Sequence, residues 1–159
     1  MIFDFIIVGQ GIAGSSFAFN LLRKNKSFYI VDKLNTLSSS RVALGVYNPV
    51  ILKWYTKPWH IQNQLNFFFK FYGEYEQFFK TKIIFDIGVY KYLHTNYDQN
   101  NWLTKSLRLS KLLSNNLYSL SKQNLINKKF YGLINSSGRI NVSEFLDSFR
   151  SFCLEKNLL

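Results

Sequence analysis

A chain of 159 residues with a formal net charge of +11 is long enough to bury a core and would ordinarily form one domain. Its single cysteine excludes a framework of disulfide bonds within the chain and agrees with a reducing compartment. No apolar run reaches the length of a membrane span, and the two histidines have no cysteine or carboxylate at metal-ligand spacing, so we expect neither a membrane protein nor a metal site.

The N-terminus combines an apolar run with a glycine-rich turn. Residues 2–8 are rich in β-branched and aromatic side chains, which predicts a buried parallel strand, and three glycines follow with the spacing G-x-G-x-x-G. Gly9 would permit the tight turn, Gly11 would let the backbone approach a pyrophosphate, and Gly14 would let a helix pack closely on the strand. Phosphates would lie at the helix N-terminus, where unpaired N–H groups face them. The candidate phosphate-binding positions are Gly9, Gly11, Ile12, Ala13 and Gly14.

The next elements complete a βαβ unit. Apolar residues at helical spacing and basic residues after them predict a helix, and Phe28–Val31 predicts a second strand. Asp32 ends that strand, eighteen positions beyond Gly14, where a carboxylate can accept hydrogen bonds from a ribose hydroxyl. This order and spacing indicate a dinucleotide site; the alternative is a βαβ unit whose glycines serve packing alone.

The segment Ser38–Pro49 distinguishes between cofactors. Small hydroxyl residues, an alanine- and glycine-containing stretch, an aromatic residue, an amide and a proline follow one another, and this order resembles the loop after the second strand in the D-amino-acid oxidase and glycine oxidase family of FAD-dependent oxidoreductases. Taken alone, a serine-rich tract of this kind is typical of a solvated turn. The resemblance implies FAD as cofactor, with the pyrophosphate on Ser39 and Ser40, the isoalloxazine ring near the backbone of Leu44, Gly45 and Val46, and the adenosine near Lys33.

Within this family the chain most resembles the branch that contains the oxidase half of the bifunctional tRNA wobble-uridine modification enzyme. The likeness rests on Arg41–Ala43, Asn48–Val50, Lys57 and Trp59, and Gly138–Val142 resembles the segment that returns from the substrate domain. The resemblance implies an α/β fold, a Rossmann-like FAD-binding βαβ unit with the start of an α+β substrate domain. Its predicted parts are the N-terminal part of the FAD-binding domain in residues 1–82, a partial substrate domain in 83–137 and the return segment in 138–159.

Members of this family are considerably longer chains, and the elements that close the flavin site follow their substrate domain. We therefore expect a truncated N-terminal fragment, for which the missing C-terminal segment of the same flavoprotein would be a partner. No second glycine-rich turn occurs before Leu159.

The remaining elements follow from periodicity. Pro58 suits the first turn of a helix through Phe79, whose aromatic residues occupy more than one face. Residues 83–93 predict one strand, and leucines at 103, 107, 113, 117 and 120 predict a helix from Asn101 to about Lys122. Strands at 130–134 and 139–142 would form a hairpin, and Asn141 with Glu144 three residues later resembles a capping box at the start of a final helix.

Basic residues dominate the C-terminal half. No acidic residue lies between Asp98 and Glu144, so a basic surface could steer an anionic partner such as tRNA. However, Lys, Asn, Phe, Ile, Tyr and Leu are enriched throughout, as codon usage in an AT-rich genome would produce, and the basic residues of this window form no compact run with interleaved aromatic residues. tRNA is therefore the less favoured partner.

Three function classes remain. The first is a flavoenzyme that oxidises a C–N bond of a small amine or amino acid, in which the flavin accepts hydride and the protein orients it. The others are an NAD-linked oxidoreductase and a non-catalytic remnant or basic binding module that keeps the βαβ unit for structural reasons. No catalytic residue can be named, and Cys153 on an amphipathic helix is typical of packing. Because the apolar N-terminus lacks a basic segment and contains Asp4, a signal peptide is disfavoured and we expect a cytoplasmic protein.

Overall fold

A computed structural model describes residues 2–33, 38–119 and 129–159. Its helices and strands alternate along the chain as a mixed α/β fold. In chain order they are β1 Phe5–Val8, α1 Ile12–Arg23, β2 Phe28–Val31, α2 Ser39–Val42, β3 Val46–Tyr47, α3 Ile61–Phe79, β4 Ile84–Phe85, β5 Val89–Leu93, α4 Asn96–Arg108, β6 Leu113–Ser119, β7 Phe130–Ile134, β8 Gly138–Ile140 and α5 Val142–Glu155.

The chain forms two compact units. The first comprises Met1–Gly45, Lys70–Ile84 and Ile140–Leu159, and the second comprises Val46–Phe69 and Phe85–Arg139. Residues 46–69, which the sequence assigned to the FAD-binding domain, belong to the second unit. Which unit would hold a cofactor and which a substrate stays a prediction.

In the first unit, β1 and β2 pair in parallel with Phe5 opposite Phe28 and Val8 opposite Val31. One face of this two-stranded sheet is buried, since Ile7, Phe28 and Ile30 are at most 7% exposed. Helix α5 packs on this face, where the rings of Phe28 and Phe149 stack with their centroids 6.5 Å apart. The predicted βαβ order is confirmed, and β2 has the predicted bounds.

The opposite face of this sheet is uncovered. Ile6 is 71% exposed, Val8 85% and Val31 51%. In the described residues β1 pairs only with β2, so its other edge has no strand partner. β1 is thus a parallel strand as predicted, but the prediction that it is buried is wrong for this face, which parallel sheets usually cover.

An aromatic cluster fills the core between helices of the first unit. The Phe19 ring on α1 lies 5.0 Å from the Tyr75 ring, and the Tyr75 hydroxyl donates to the Phe145 carbonyl of α5 at 2.7 Å. Tyr75 and Phe145 are almost completely buried, which explains why the C-terminal half of α3 is so rich in aromatic residues. The other rings in contact with Phe19 are Phe71, Phe78 and Phe79.

The second unit is built on an antiparallel sheet with the strand order β5–β7–β6. Trp102 on α4 is fully buried at the centre of its core, and its indole N–H donates to the Ser114 carbonyl at 2.9 Å. A further sheet has the order β3–β8–β4, with Tyr47 opposite Gly138.

Among the helices of the described residues, none combines the length and apolar character that crossing a bilayer requires.

Two predicted elements are shorter than expected. The strand predicted for residues 83–93 is divided into β4 and β5, because β4 joins the sheet of β8 while β5 pairs with β7. α3 begins at Ile61, so Pro58 precedes the helix, and His60 has a positive φ of 48°. The prediction that Pro58 lies in its first turn is wrong.

The helix predicted from Asn101 to Lys122 is also wrong beyond Arg108. α4 starts earlier, at a capping box of Thr95 and Asp98, and Leu113 and Leu117 lie in strand β6 against the same core as Trp102. Residues four apart share one face in a helix and also in a strand, so the leucine spacing could not distinguish them. Leu120 and Lys122 lie outside the described residues.

The predicted hairpin does not form, although both strands exist. β7 pairs with β5 and β6, whereas β8 pairs with β3 and β4. The buried Ser137 hydroxyl accepts from the Val89 N–H at 2.9 Å and donates to the Ile134 carbonyl at 2.6 Å, so the turn is tied to β5 instead of reversing the chain.

The final helix has half of the predicted capping box. The Asn141 side chain accepts from the Glu144 N–H at 3.3 Å, but the Glu144 carboxylate accepts from the Thr81 hydroxyl. The Asn141 N–H donates instead to the Ile83 carbonyl at 2.8 Å.

Candidate nucleotide-binding site

The glycine turn joins β1 to α1 in the first unit. Gly9 has a φ of +95°, a conformation that only glycine adopts readily, and its N–H donates to the Val31 carbonyl at 2.8 Å. A Cβ on Gly14 would overlap the Gly9 carbonyl oxygen, so the first turn of α1 packs directly on the backbone of the turn. Both glycines have the local roles that their spacing predicts.

Helix α1 begins without a side-chain cap of its own. Gly11 is the N-cap residue, and the N–H of Ile12 donates to the Ser40 hydroxyl at 3.2 Å. A Cβ on Gly11 would come within 2.9 Å of that same oxygen. Ser40 thus lies at the positive end of α1, where its hydroxyl oxygen satisfies one of the N–H groups of the first turn.

Asp32 at the end of β2 is held by two partners. One carboxylate oxygen accepts from the Gln10 N–H at 2.9 Å, and the other accepts from the Arg150 guanidinium at 2.9 Å. Arg150 also donates to the Gln10 side-chain oxygen at 2.8 Å, and the Gln10 amide nitrogen donates to the Leu146 carbonyl. These contacts connect the glycine turn, β2 and α5 at one point.

A small recess of about 60 Å³ opens at this point. Lys33, Arg41 and Arg150 contribute three cations to it, and Asp32 contributes the carboxylate. Arg41 pairs with Asp147 on its outer side at 2.6 Å. The recess is much smaller than the roughly 300–1,000 Å³ of a pocket that encloses a whole ligand, so it cannot enclose a dinucleotide. The lining residues are Gln10, Gly11, Asp32, Lys33, Ser38, Arg41 and Arg150.

The remaining candidate residues lie outside this recess. Ser39 starts the short helix α2, and it is Ser38 that lines the recess. Leu44 is 80% exposed and Val46 is 53% exposed. Gly45 has a φ of +68°, and its carbonyl accepts from the Ile140 N–H at 2.8 Å. Ile12 and Ala13 are the first two residues of α1.

Sequence reasoning missed the role of two residues. Gln10 could have been suspected, since it stands between the glycines and its backbone faces the end of β2. Arg150 gives no signal in the sequence, because 118 residues separate it from Asp32 and only the packing of α5 brings them together. In the described ranges, no group of three or more His, Cys, Asp or Glu side chains is arranged to hold a metal ion.

Cys153 is a packing residue of the first unit. It is fully buried on α5, and burial raises the pKa of its thiol to about 12. Because the thiolate is the reactive form, we expect no alkylation of the native protein by iodoacetamide at pH 8 and rapid alkylation in urea. Mass spectrometry measures both, and labelling of the native chain at the rate of the unfolded one would contradict this packing.

Substitution of Asp32 tests whether this carboxylate binds the nucleotide specifically or acts only through its charge. Asp32→Asn should weaken ADP and FAD binding about ten- to a hundredfold, because a hydrogen bond to a charged group contributes about 1.5–3 kcal/mol. FMN, which lacks the adenosine ribose, should bind as before. Isothermal titration measures all three ligands.

Asp147→Asn is the matched control for this substitution. It makes the same change in charge beside the same recess, but the Asp147 carboxylate is 56% exposed and contacts Arg41 instead of the glycine turn. If both variants weaken ADP equally, the loss comes from net charge and Asp32 has no specific role.

Comparisons with known proteins concern the fold. No protein-family model matches the sequence. Glycine oxidase from Bacillus cereus ATCC 14579 superposes with a TM-score of 0.65 at 17% identity, over 94% of this chain and 43% of that one. Iminodiacetate oxidase from Chelativorans sp. BNC1 gives 0.62 at 14% identity, over 95% and 44%. L-amino acid deaminase from Proteus vulgaris gives 0.59 at 16% identity, over 94% and 38%.

The chain thus spans less than half the length of each of these proteins, while almost all of it is matched. Its fold is that of the corresponding part of glycine oxidase and related amino acid oxidases.

Proposed function

We propose that this chain, with the fold of part of glycine oxidase and related amino acid oxidases, forms the nucleotide-binding portion of an FAD-dependent oxidoreductase. One observation carries the proposal: the glycine turn, the Ser40 hydroxyl and the Asp32 carboxylate converge at the N-terminus of α1. Three cations line the recess beside Gly11 and Asp32, which suits the anionic pyrophosphate.

Each part of the cofactor would have its own residues. The pyrophosphate would lie on the turn from Gly9 to Gly14, on the N–H groups of Ile12 and Ala13 and on the hydroxyls of Ser39 and Ser40. Asp32 and Lys33 would hold the adenosine ribose, for which Asp32 must share its carboxylate with Arg150. The backbone of Leu44, Gly45 and Val46 would border the isoalloxazine ring.

FAD, when bound, supplies the group that accepts hydride from the substrate. The enzymes of similar fold are named for glycine, iminodiacetate and L-amino acids, which supports a small amine or amino acid as the substrate class, oxidised at its C–N bond. The task of the described residues is to bind and orient the nucleotide end. No described residue is assigned to catalysis.

The uncovered sheet face supports the proposal that another segment of the same flavoprotein completes the first unit. Ile6, Val8 and Val31 present an apolar surface beside the unpaired edge of β1. Parallel sheets are usually covered on both faces, and the enzymes of similar fold are more than twice as long. In this proposal the first unit is the FAD-binding domain and the second belongs to the substrate domain, in a cytoplasmic protein.

We therefore expect the 159-residue chain by itself to bind FAD weakly and to self-associate. Gel filtration with absorbance at flavin wavelengths measures both properties. Ile6→Thr with Val8→Thr should shift the chain toward monomer, whereas Leu107→Thr, at a residue 73% exposed outside this sheet, should not. A monodisperse chain with one FAD per molecule would contradict the need for a further segment.

The Asp32–Arg150 ion pair favours a second candidate. Because Arg150 already compensates the carboxylate, the βαβ unit is satisfied without a ligand, as expected for a non-catalytic remnant. Titration with ADP distinguishes the two functions: measurable binding that Asp32→Asn weakens supports a nucleotide site, and its absence supports the remnant.

A further inference from the structure

The positive charge of the protein is concentrated in its second unit. Val46–Phe69 and Phe85–Arg139 contain ten lysines and arginines but only two acidic residues, Asp86 and Asp98. This unit therefore carries +8 of the net charge of +11. Asp98 caps helix α4 through Thr95, so that carboxylate already has partners.

Two hollows lie side by side within this unit. One has a volume of about 300 Å³ and is lined by Lys57, Pro58 and residues 60–63, and the other has about 240 Å³ and is lined by residues 108–110. Lys57, Lys111 and Leu112 line both hollows, so the two adjoin, and together they are called the trough below. No acidic residue lines either hollow.

The cations of this trough are available to a ligand. Lys57, Arg108 and Lys111 are exposed, and within the described ranges none of them forms an ion pair. Lysines and arginines around a concave surface without acids attract a polyanion that can enter the hollow.

Two exposed tryptophan side chains belong to the same unit, and one of them, Trp59, stands in the sequence between Pro58 and His60, which line the trough. Trp59 is 81% exposed and directly precedes His60, whose ring meets it edge to face at 4.2 Å. The Gln64 side chain donates to the Trp59 carbonyl at 2.8 Å, which fixes the backbone there. An exposed tryptophan at a defined position offers a flat surface on which a planar group can stack.

Trp54 is presented in a similar way, at the tip of a turn closed by Ile51 and Thr56. Tyr55 anchors this turn in the core, 5.7 Å from the Trp102 ring, and leaves Trp54 63% exposed. The Lys53 ammonium lies 4.8 Å from the Trp54 ring. Lys53, Trp54, Lys57 and Trp59 thus interleave cations with aromatic rings in the sequence itself.

From these observations we propose that the second unit binds single-stranded nucleic acid, with phosphates on Lys57, Arg108 and Lys111 and bases stacked on Trp59 and Trp54. Positive grooves with aromatic platforms are how proteins bind unpaired strands without reading their sequence. A membrane surface would suit a convex patch, whereas these cations surround a trough. The inference is independent of the flavin proposal, since it involves only the second unit.

The test uses the full chain and a fluorescein-labelled 12-nucleotide oligouridylate, with binding followed by fluorescence anisotropy between 50 and 200 mM salt. Lys57→Ala with Lys111→Ala should weaken binding at least tenfold at 50 mM salt. The slope of log K against log salt should fall by about 1.4, since two phosphate contacts on a single strand are lost.

Lys24→Ala with Lys26→Ala is the matched control, because it removes the same charge from exposed lysines of the first unit. It should change binding less than twofold. An equal loss in both double variants would overturn the proposal, since net charge alone would then explain the affinity.

Trp59→Ala tests the stacking platform. It should weaken the oligonucleotide about fivefold or more, and it should leave inorganic tripolyphosphate, which has no bases, unaffected. The protein should prefer the single strand to a duplex of the same length. Equal binding of the duplex, or binding only to phosphatidylserine vesicles, would refute the proposal. FAD titrations of the same variants should be unchanged, so failure of the flavin site remains distinguishable.

Discussion

Gly14→Ala should destabilise the protein by about 2–4 kcal/mol, in the range of severe overpacking. The added Cβ would overlap the Gly9 carbonyl oxygen and approach the Ile7 side chain at 3.4 Å. Backbone atoms cannot rotate away as the end of a long side chain can, so α1 would have to move off β1. Urea unfolding followed by circular dichroism measures the change in the free energy of unfolding.

Gly73→Ala is the control for this substitution. Gly73 lies within helix α3, and a Cβ there meets no atom within 4 Å. Alanine should therefore stabilise the helix by about 0.5–1 kcal/mol, the usual gain over glycine. If Gly14→Ala were as stable as the unchanged protein, the close packing of α1 on the glycine turn would be wrong.

Gly11→Val should abolish nucleotide binding and leave the fold largely intact. Its Cβ would meet only the Ser40 side chain, which can rotate, while the branched side chain would fill the space in front of the N-terminus of α1. We expect at least a hundredfold loss of ADP affinity by titration calorimetry, with little change in the far-ultraviolet circular dichroism spectrum.

Ser40→Ala separates two reasons for such a loss. By itself it removes one hydrogen bond, to the Ile12 N–H, and should cost about 0.5–1.5 kcal/mol of affinity at most. The double variant Gly11→Val with Ser40→Ala should bind no better than Gly11→Val. Recovery in the double variant would mean that displacement of Ser40, and not occupation of the pyrophosphate space, causes the loss.

Local chemistry explains which parts of the fold could be predicted. Gly9 needs a positive φ and Gly14 needs close contact with the turn, both within six residues, and the short apolar run Phe28–Val31 between Ser27 and Asp32 gives that strand its observed bounds. Asn141 caps α5 through an N–H only three residues away. Contacts of such short range are encoded by neighbouring residues, so the sequence specifies them directly.

Longer-range partners could not be predicted in the same way. The spacing of Leu113 and Leu117 fits a helix and a strand equally, and the segment forms strand β6 because it pairs with β7. β7 and β8 follow one another closely but join different sheets, because Ser137 ties the turn between them to β5.

The candidate nucleotide site shows the same division. Neighbouring residues are enough to specify the glycine turn, the order strand–helix–strand and the carboxylate of Asp32 at the end of β2. Packing of the folded chain is needed to pair Arg150 of α5 with that carboxylate, to leave one face of the β1–β2 sheet exposed, and to place Lys57 and Lys111 along the same trough. The physical reason is distance along the chain: periodicity and spacing record what neighbouring residues require, whereas the packing of remote helices and strands depends on surfaces that form only when the whole chain folds.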